Sequence, residues 1–193
     1  MKKVLLAAAL MISSVAAFAQ HAVGTVTIQP KVGMNVANVT DFTGSDTRIG
    51  LAVGAELEFQ LGDIFSLSAG ALYSQQGCKG SENGLSITQK LDYINVPVMA
   101  NVYVAPGFAV KLGVQPGFKV NAEAEAKNGS NRFAAGNSSE FNSVDFSIPV
   151  GVSYEFSNVV IDARYNWGLT KPIKDLDNKN TVFQFTVGYK FAL

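Results

Sequence analysis

The sequence predicts an all-β protein: an eight-stranded antiparallel transmembrane up-and-down β-barrel that follows a cleaved signal peptide. Three observations predict it. The chain begins with an export signal, nearly all of the remainder alternates with a period of two residues, and the apolar face of that alternation carries no charge.

The first 19 residues have the three parts of a secretory signal peptide. Lys2 and Lys3 precede the apolar run 4–12, and the segment ends in Ala17-Phe18-Ala19, a small-x-small cleavage site. The apolar run is shorter than the about 20 residues that a membrane-spanning helix needs. We therefore expect a signal peptide over residues 1–19 and an outer-membrane barrel domain over 20–193. The first mature residue would be Gln20, not the cysteine of a lipoprotein.

Composition narrows the classes of partner and cofactor. Removal of Lys2 and Lys3 from the 15 basic residues leaves 13 against 15 acidic residues, a net charge of −2 that does not suit nucleic acid. The single cysteine, Cys78, cannot form an intramolecular disulfide or supply a cysteine-rich metal site. We expect it to be an incidental free thiol in a loop. No motif indicates a cofactor, and no later stretch holds 18 consecutive apolar residues.

Alternation of apolar and polar residues identifies the strands. In the last segment, Phe183, Phe185 and Val187 share one face, and Gln184 and Thr186 share the other. Eight segments behave in this way, at about 25–37, 49–61, 64–76, 90–104, 108–122, 143–157, 159–170 and 181–193. A strand of about 10 residues, rising roughly 3.3 Å per residue at a tilt of about 45°, covers about 23 Å, close to the about 25 Å apolar band of a barrel.

The connections alternate in length. Short turns are expected at 61–64, 105–107 and 157–158, and long loops rich in Gly, Asn, Ser, Asp and Lys at 37–48, 77–89, 123–142 and 170–180. With the N-terminus on the periplasmic side, all long loops fall on the outer side, as in a transmembrane barrel.

The strand charges predict which face meets lipid. All of them share the parity opposite the aliphatic and aromatic residues, and eight strand glycines share that parity too. A soluble lipocalin-like barrel would have the reverse arrangement, with charges outside. We therefore expect a lumen charge network made of Lys31, Glu56, Glu58, Lys111, Lys119, Asp145, Glu155, Asp162, Arg164 and Lys190.

Four prolines lie inside the predicted strands, namely Pro30, Pro97, Pro116 and Pro149. Proline lacks the N–H that a strand ladder needs, and a closed barrel has no edge strand to accommodate it. We expect β-bulges at these positions, with a change of facing beyond each.

Three groups of residues give the chain a family resemblance. Asp92-Tyr93-Ile94-Asn95-Val96-Pro97-Val98 follows Ser74-Gln75-Gln76-Gly77, and then come Ala163-Arg164-Tyr165-Asn166-Trp167-Gly168-Leu169 and Val187-Gly188-Tyr189-Lys190-Phe191. In order and spacing they resemble the PorT-like outer-membrane β-barrel family, although Leu193 replaces the usual terminal aromatic residue. The resemblance implies an outer-membrane barrel and a link with envelope or secretion proteins.

Three functions are compatible with such a barrel. The favoured one is a non-enzymatic barrel with a closed lumen, embedded in outer-membrane lipid, whose outer loops bind an envelope or secretion partner. The candidate binding residues lie in the longest loop: Lys127, Arg132, Phe133, Glu140 and Phe141. The alternative is a narrow pore that uses the lumen charges as a filter. An acyl hydrolase or protease is disfavoured because the only histidine, His21, precedes the first strand. A carboxylate-only mechanism would use the inward Glu56 and Glu58, but paired lumen carboxylates are more often partners of Lys or Arg.

The first prediction concerns location. Because of the signal peptide and the charge-free face, the protein should fractionate with the outer membrane and migrate differently on gels before and after heating. Recovery as a soluble periplasmic protein would contradict the barrel.

Overall fold

The computed structural model describes residues 21–39, 45–82, 85–128, 131–136, 142–170 and 179–193. The expected signal peptide and the loop residues Glu140 and Phe141 lie outside these ranges. Among the described residues, no helix has the length and apolar character needed to cross a membrane.

The described residues form one antiparallel sheet that closes into a ring. Its strands are β1 Val26–Val39, β2 Ser45–Gly62, β3 Phe65–Glu82, β4 Leu85–Asn95, β5 Val98–Ala105, β6 Phe108–Asn128, β7 Asn131–Gly136, β8 Val144–Phe156, β9 Val159–Gly168, β10 Asn180–Tyr189 and β11 Phe191–Ala192. The ring closes where β1 pairs with β10, for example at Met34 and Phe185. Since β4 continues into β5 and β10 into β11, the ring has eight rows, and β7 pairs with the end of β6 beyond β8, on the same edge as β8. The predicted eight-stranded antiparallel barrel is confirmed.

The two faces of the sheet differ as the alternation predicts. The outer face carries the exposed apolar side chains, such as Leu57 and Phe185. Their sequence neighbours Glu56 and Gln184 are buried inside the ring, each 2 % exposed. The arrangement is inside-out relative to a soluble barrel, which buries its apolar side chains within.

The prediction of β-bulges at the prolines was wrong. On either side of Pro30, the pairs Ile28–Phe191 and Lys31–Gly188 belong to one register. Pro116 pairs with Phe146 and Pro149 with Asn166, in phase with their neighbours. Each proline removes a donor without adding a residue to its strand, so facing does not change.

Pro97 interrupts the ladder most clearly, because β4 ends at Asn95 and β5 begins at Val98. Yet Asn95 pairs with Leu72 and Val98 with Ala69, again in one register. The register shifts lie at other places: Thr47/Ala52, Gln60/Gly62, Asp92/Tyr93, Tyr103/Ala105 and Ala124/Glu125.

Three of the four long connections are shorter than predicted, because strands continue into them. The segment 123–142 contains the end of β6 and all of β7, paired through Lys127–Arg132 and Ala126–Phe133. These three candidate residues therefore lie on a hairpin, not in a loop. Alanine alternates with charged residues from Ala122 to Lys127, which keeps the period of two without large apolar side chains.

Cys78 also lies in a strand rather than a loop. It is part of β3, pairs with Gln89 of β4, and is buried. Continuation of β3 to Glu82 accounts for the difference.

Close contact between neighbouring strands explains two of the inward glycines. A Cβ atom on Gly33 would lie 1.9 Å from the carbonyl oxygen of Phe185, and one on Gly54 would lie 2.1 Å from that of Ala71. Only glycine allows this approach in a narrow, strongly curved sheet. At the short turn between β8 and β9, Ser157 and Asn158 have φ values of 48° and 71°, as a two-residue hairpin requires.

Adjacent residues on β10 provide a matched test of facing. Val187 points outward and is 51 % exposed, whereas Thr186 is 3 % exposed and pairs with Asp162. Val187→Lys should impair membrane insertion strongly, since a lysine facing mid-bilayer costs about 2–4 kcal/mol. Thr186→Lys should insert better, because its charge stays in the polar lumen and does not meet lipid. Folded yields after vesicle insertion would measure this, and equal yields would contradict the facing.

Candidate functional site

Five charged side chains meet at the centre of the lumen, and we call them the central cluster: Lys31, Glu56, Lys111, Asp162 and Arg164. They come from β1, β2, β6 and β9, and all five are buried. Each of the five side chains has the inward parity of its strand, so all five project into the lumen.

Arg164 organises the central cluster. Its guanidinium donates two parallel hydrogen bonds to Glu56, from Nη1 to Oε1 at 2.6 Å and from Nη2 to Oε2 at 2.7 Å. It also donates to Asp162, from Nε at 2.6 Å and from Nη2 at 2.9 Å. Two-pronged binding of carboxylate is the geometry for which a planar guanidinium is best suited.

Two lysines complete the central cluster. Lys31 Nζ lies 2.8 Å from Glu56 Oε2 and 3.9 Å from Asp162 Oδ2. Lys111 Nζ lies 2.8 Å from the same Asp162 oxygen. With all groups ionised, three cations face two carboxylates, so the central cluster carries a net charge of +1.

A second group, which we call the lower cluster, lies toward the short turns. Lys190 Nζ is 2.9 Å from Glu58 Oε2, 2.8 Å from Glu155 Oε2 and 3.1 Å from Tyr103 Oη. Glu58 Oε1 accepts hydrogen bonds from Ser66 Oγ at 2.6 Å and from Tyr103 Oη at 2.5 Å. One lysine and two glutamates give the lower cluster a net charge of −1. This charge offsets the +1 of the central cluster, since Glu58 lies two residues from Glu56 along β2.

The N-terminal segment covers this end of the lumen. Gly24 N donates to Gln60 O at 2.8 Å, and Gln60 N donates to Thr25 O at 3.0 Å. His21 Nε2 lies 3.2 Å from Glu155 Oε1. The single histidine therefore contacts a carboxylate of the lower cluster.

The other two predicted lumen charges stand apart from both clusters. Asp145 is buried on β8, where its Oδ1 accepts hydrogen bonds from Thr170 Oγ1 at 2.5 Å and Phe146 N at 3.0 Å. Lys119 is half-buried on β6, beside the register shift at Asp92/Tyr93. The structure thus brings together eight of the ten.

Sequence analysis missed the neutral members of the lumen. Tyr103 bridges Glu58 and Lys190, and Ser66 binds Glu58. Both were detectable in principle, because they have the inward parity of their strands. Above the central cluster the lumen is lined mainly by amides, where Asn180 donates to the Gln76 side chain and Arg48 to the Gln76 carbonyl.

The chemistry of both clusters is mutual saturation. Glu56 and Glu58, the pair considered for acid–base work, are each bound by at least one cation. In the part of the chain that the structure describes, no three His, Cys, Asp or Glu side chains are grouped to hold a metal ion. Within each cluster, opposite charges thus bind one another.

Comparison with known proteins agrees with this architecture. Residues 18–174 match the family model described as "Outer membrane protein beta-barrel domain". The chain belongs to this family. Membership indicates the outer membrane as its location. A search of curated protein sequences finds no significant match.

Solved structures show the same fold at low identity. Ail, the attachment invasion locus protein of Yersinia pestis, is 14 % identical, with a TM-score of 0.54 over 88 % of this chain and 100 % of its own. Neisserial surface protein A is 16 % identical, with a TM-score of 0.51 over 86 % of this chain and 97 % of its own. These likenesses concern the fold alone.

The central cluster predicts a large effect of removing one partner. Glu56→Gln keeps the side-chain volume but raises the net charge of the cluster from +1 to +2 and replaces one of the two oxygens that accept from Arg164 and Lys31 with an N–H donor. Breaking a buried pair in this way costs about 3–5 kcal/mol. Urea unfolding in vesicles should show that loss in the free energy of unfolding.

Two variants serve as controls. Asp63→Asn changes an exposed carboxylate in a short turn and should leave stability within about 0.5 kcal/mol. Lys31→Met with Glu56→Gln returns the cluster to +1 and should recover part of the loss. Equal stability of Glu56→Gln and wild type would show that the pairs are hydrated and do not support the barrel.

Proposed function

We propose that this protein is a non-enzymatic outer-membrane barrel with a closed lumen. The barrel acts by presenting the end that carries the long connections to a partner in the envelope. The observation that carries the proposal is the crossing of the lumen by ion pairs. A lumen filled by its own side chains leaves the outer surface as the place for function.

Several of the lumen contacts join strands that are not neighbours. Arg164 on β9 binds Glu56 on β2, with β10 and β1 between them in the ring. Lys111 on β6 reaches Asp162 on β9 past β8, and Tyr103 on β5 reaches Glu58 on β2 past β3. Such contacts span the interior, and eight strands enclose only enough room for side chains.

The outer face of the sheet changes from apolar to charged toward the long connections. Phe118 and Val120 are the last exposed apolar side chains along β6. Beyond them Glu123 is exposed, and the outward Lys90 Nζ lies 2.6 Å from Glu125 Oε1. A charged outer face does not suit lipid, so this part of β3, β4 and β6 fits a position above the apolar band.

The β6–β7 hairpin lies in that region and holds three of the candidate binding residues, Lys127, Arg132 and Phe133. Paired strands give a firmer frame than a loop, and binding residues on a rigid frame lose less freedom on binding. Cations next to an aromatic residue suit an acidic or amphipathic protein surface. A partner in the envelope or in secretion agrees with this chemistry.

Two finer assignments belong to the same proposal. The motifs around Tyr93, Arg164 and Tyr189 support membership of the PorT-like branch of outer-membrane barrels. The small-x-small site at Ala17 and Ala19 supports cleavage before Gln20.

The test uses the side chains of the hairpin and leaves its backbone intact. Lys127→Ser, Arg132→Ser and Phe133→Ser together should preserve insertion and heat-modifiable mobility but fail to complement the phenotype of a strain that lacks the gene. A photoreactive phenylalanine at position 133 should crosslink to a defined envelope component in living cells. The same group at position 63, in a short turn at the opposite end, is the matched control.

Two results would contradict the proposal. Full complementation by the triple variant would remove the hairpin as the binding surface. Stable current steps through wild-type protein in planar bilayers, altered by Arg164→Ala, would favour the narrow pore instead.

A further inference from the structure

A groove opens on the outer face of the barrel where the first and last strands meet, and we call it the β1 groove. It has a volume of about 500 Å³. Residues of β1, β2, β9 and β10 line it, principally Pro30, Val32, Val53, Val159, Val187 and Tyr189. All six side chains point outward and are exposed, like those of the apolar band around them. The β1 groove is therefore a recess in the surface that faces lipid.

The recess arises because side chains of different size lie next to one another. Pro30 of β1 is opposite Ala55 of β2, and the next outward pair on the same strands is Val32 opposite Val53. The register of β1 with β10 places Tyr189 on the other side of Pro30. A flat proline ring and a methyl group thus lie between larger apolar side chains and form the floor of the groove.

The ladder between the first and last strands is interrupted at this floor. The pairs of β1 with β10 end at Lys31–Gly188 and resume with β11 beyond Pro30. Lys190 N donates instead to Asn158 O on the other side, at 2.8 Å. Because Pro30 has no N–H, the interruption leaves no donor of that residue facing lipid, where no water could bind it. The floor stays apolar although the ladder is open.

The lining also carries no exposed charge. Lys31 is the only Lys, Arg, Asp or Glu among the described residues that line the groove. Its side chain lies wholly inside the ring, where Nζ binds Glu56, so only its backbone reaches the groove. A volume of about 500 Å³ lies within the range of about 300–1,000 Å³ that is usual for small-molecule sites. The groove therefore fits an occupant that is narrow, uncharged and apolar.

We propose that the β1 groove binds one acyl chain of a phospholipid. The groove continues the lipid-facing band of the barrel, so membrane lipid is the apolar molecule that has direct access to it. The Tyr189 ring lies 4.7 Å from the Phe191 ring at the short-turn end, and aromatic side chains at such ends mark the level of the headgroups. The chain enters beside these rings and extends toward Val53. A second copy of the barrel would present a convex wall, which does not fill a recess.

The test uses the full-length mature barrel in nanodiscs of palmitoyl-oleoyl phosphatidylglycerol, released into a native mass spectrometer. Wild type should retain one phospholipid at collision energies that remove all others. Val53→Phe fills the groove without a change of charge and should lose this phospholipid. Val152→Phe is the matched control, because Val152 is 40 % exposed against 39 % for Val53 and lies on β8, outside the groove. It should retain the phospholipid as wild type does.

A second variant and a second measurement complete the test. Val32→Phe fills the groove from the neighbouring strand and replaces Val53→Phe if that variant does not fold. In detergent, added phospholipid should raise the Tm of wild type and Val152→Phe more than that of the groove-filled variants, since a ligand of the folded state stabilises it.

Three results would overturn the proposal. Wild type that retains no phospholipid would show that the groove holds only exchanging lipid. Equal retention by wild type and the groove-filled variants would place the bound lipid elsewhere. Dimers of wild type that Val53→Phe dissociates would identify a second copy of the chain as the occupant. None of these results bears on the hairpin.

Discussion

A charge on an eight-stranded barrel cannot face lipid, and inside the ring it finds little bulk water. It must therefore be paired with an opposite charge or bound by hydrogen bonds within the lumen. Arg164 satisfies this constraint for two carboxylates at once, and Lys31 and Lys111 bind the same two. The narrow barrel that makes pairing necessary also requires glycine at inward positions, since Gly33 and Gly54 lie against the backbone of the next strand.

The lumen is ordered along its axis. At the short-turn end, His21 and the lower cluster form a layer of net charge −1 when the histidine is neutral. The central cluster above it carries +1, so the two layers compensate at short range. Beyond them the lining is nearly all neutral amide, apart from Asp145. Charge is thus concentrated where side chains cross the ring, and free space remains only where they do not.

The sequence predicted the ring and the inward charges because a period of two determines facing without any knowledge of register. It could not predict that Arg164 would bind Glu56, since that pairing depends on which strands lie opposite across the closed ring. Tyr103 was missed because an aromatic side chain resembles a lipid-facing residue unless its parity is followed through Pro97. The outer end of β6 was missed because alanine replaces large apolar residues there, and that of β3 was missed because residues 77–82 are small, polar or charged.

The comparison structures extend this reasoning. Barrels that share only 14–16 % of their residues with this chain have its fold, so the ring does not require the particular residues of this chain. Residues within the ring are then restricted by lumen pairing on one face and by lipid on the other. The outer ends of β4 and β6, with β7, are free of both restrictions, as the outward charges Lys90 and Glu125 demonstrate. Positions under neither restriction can change with the partner, and this supports the assignment of binding to the hairpin rather than to the lumen.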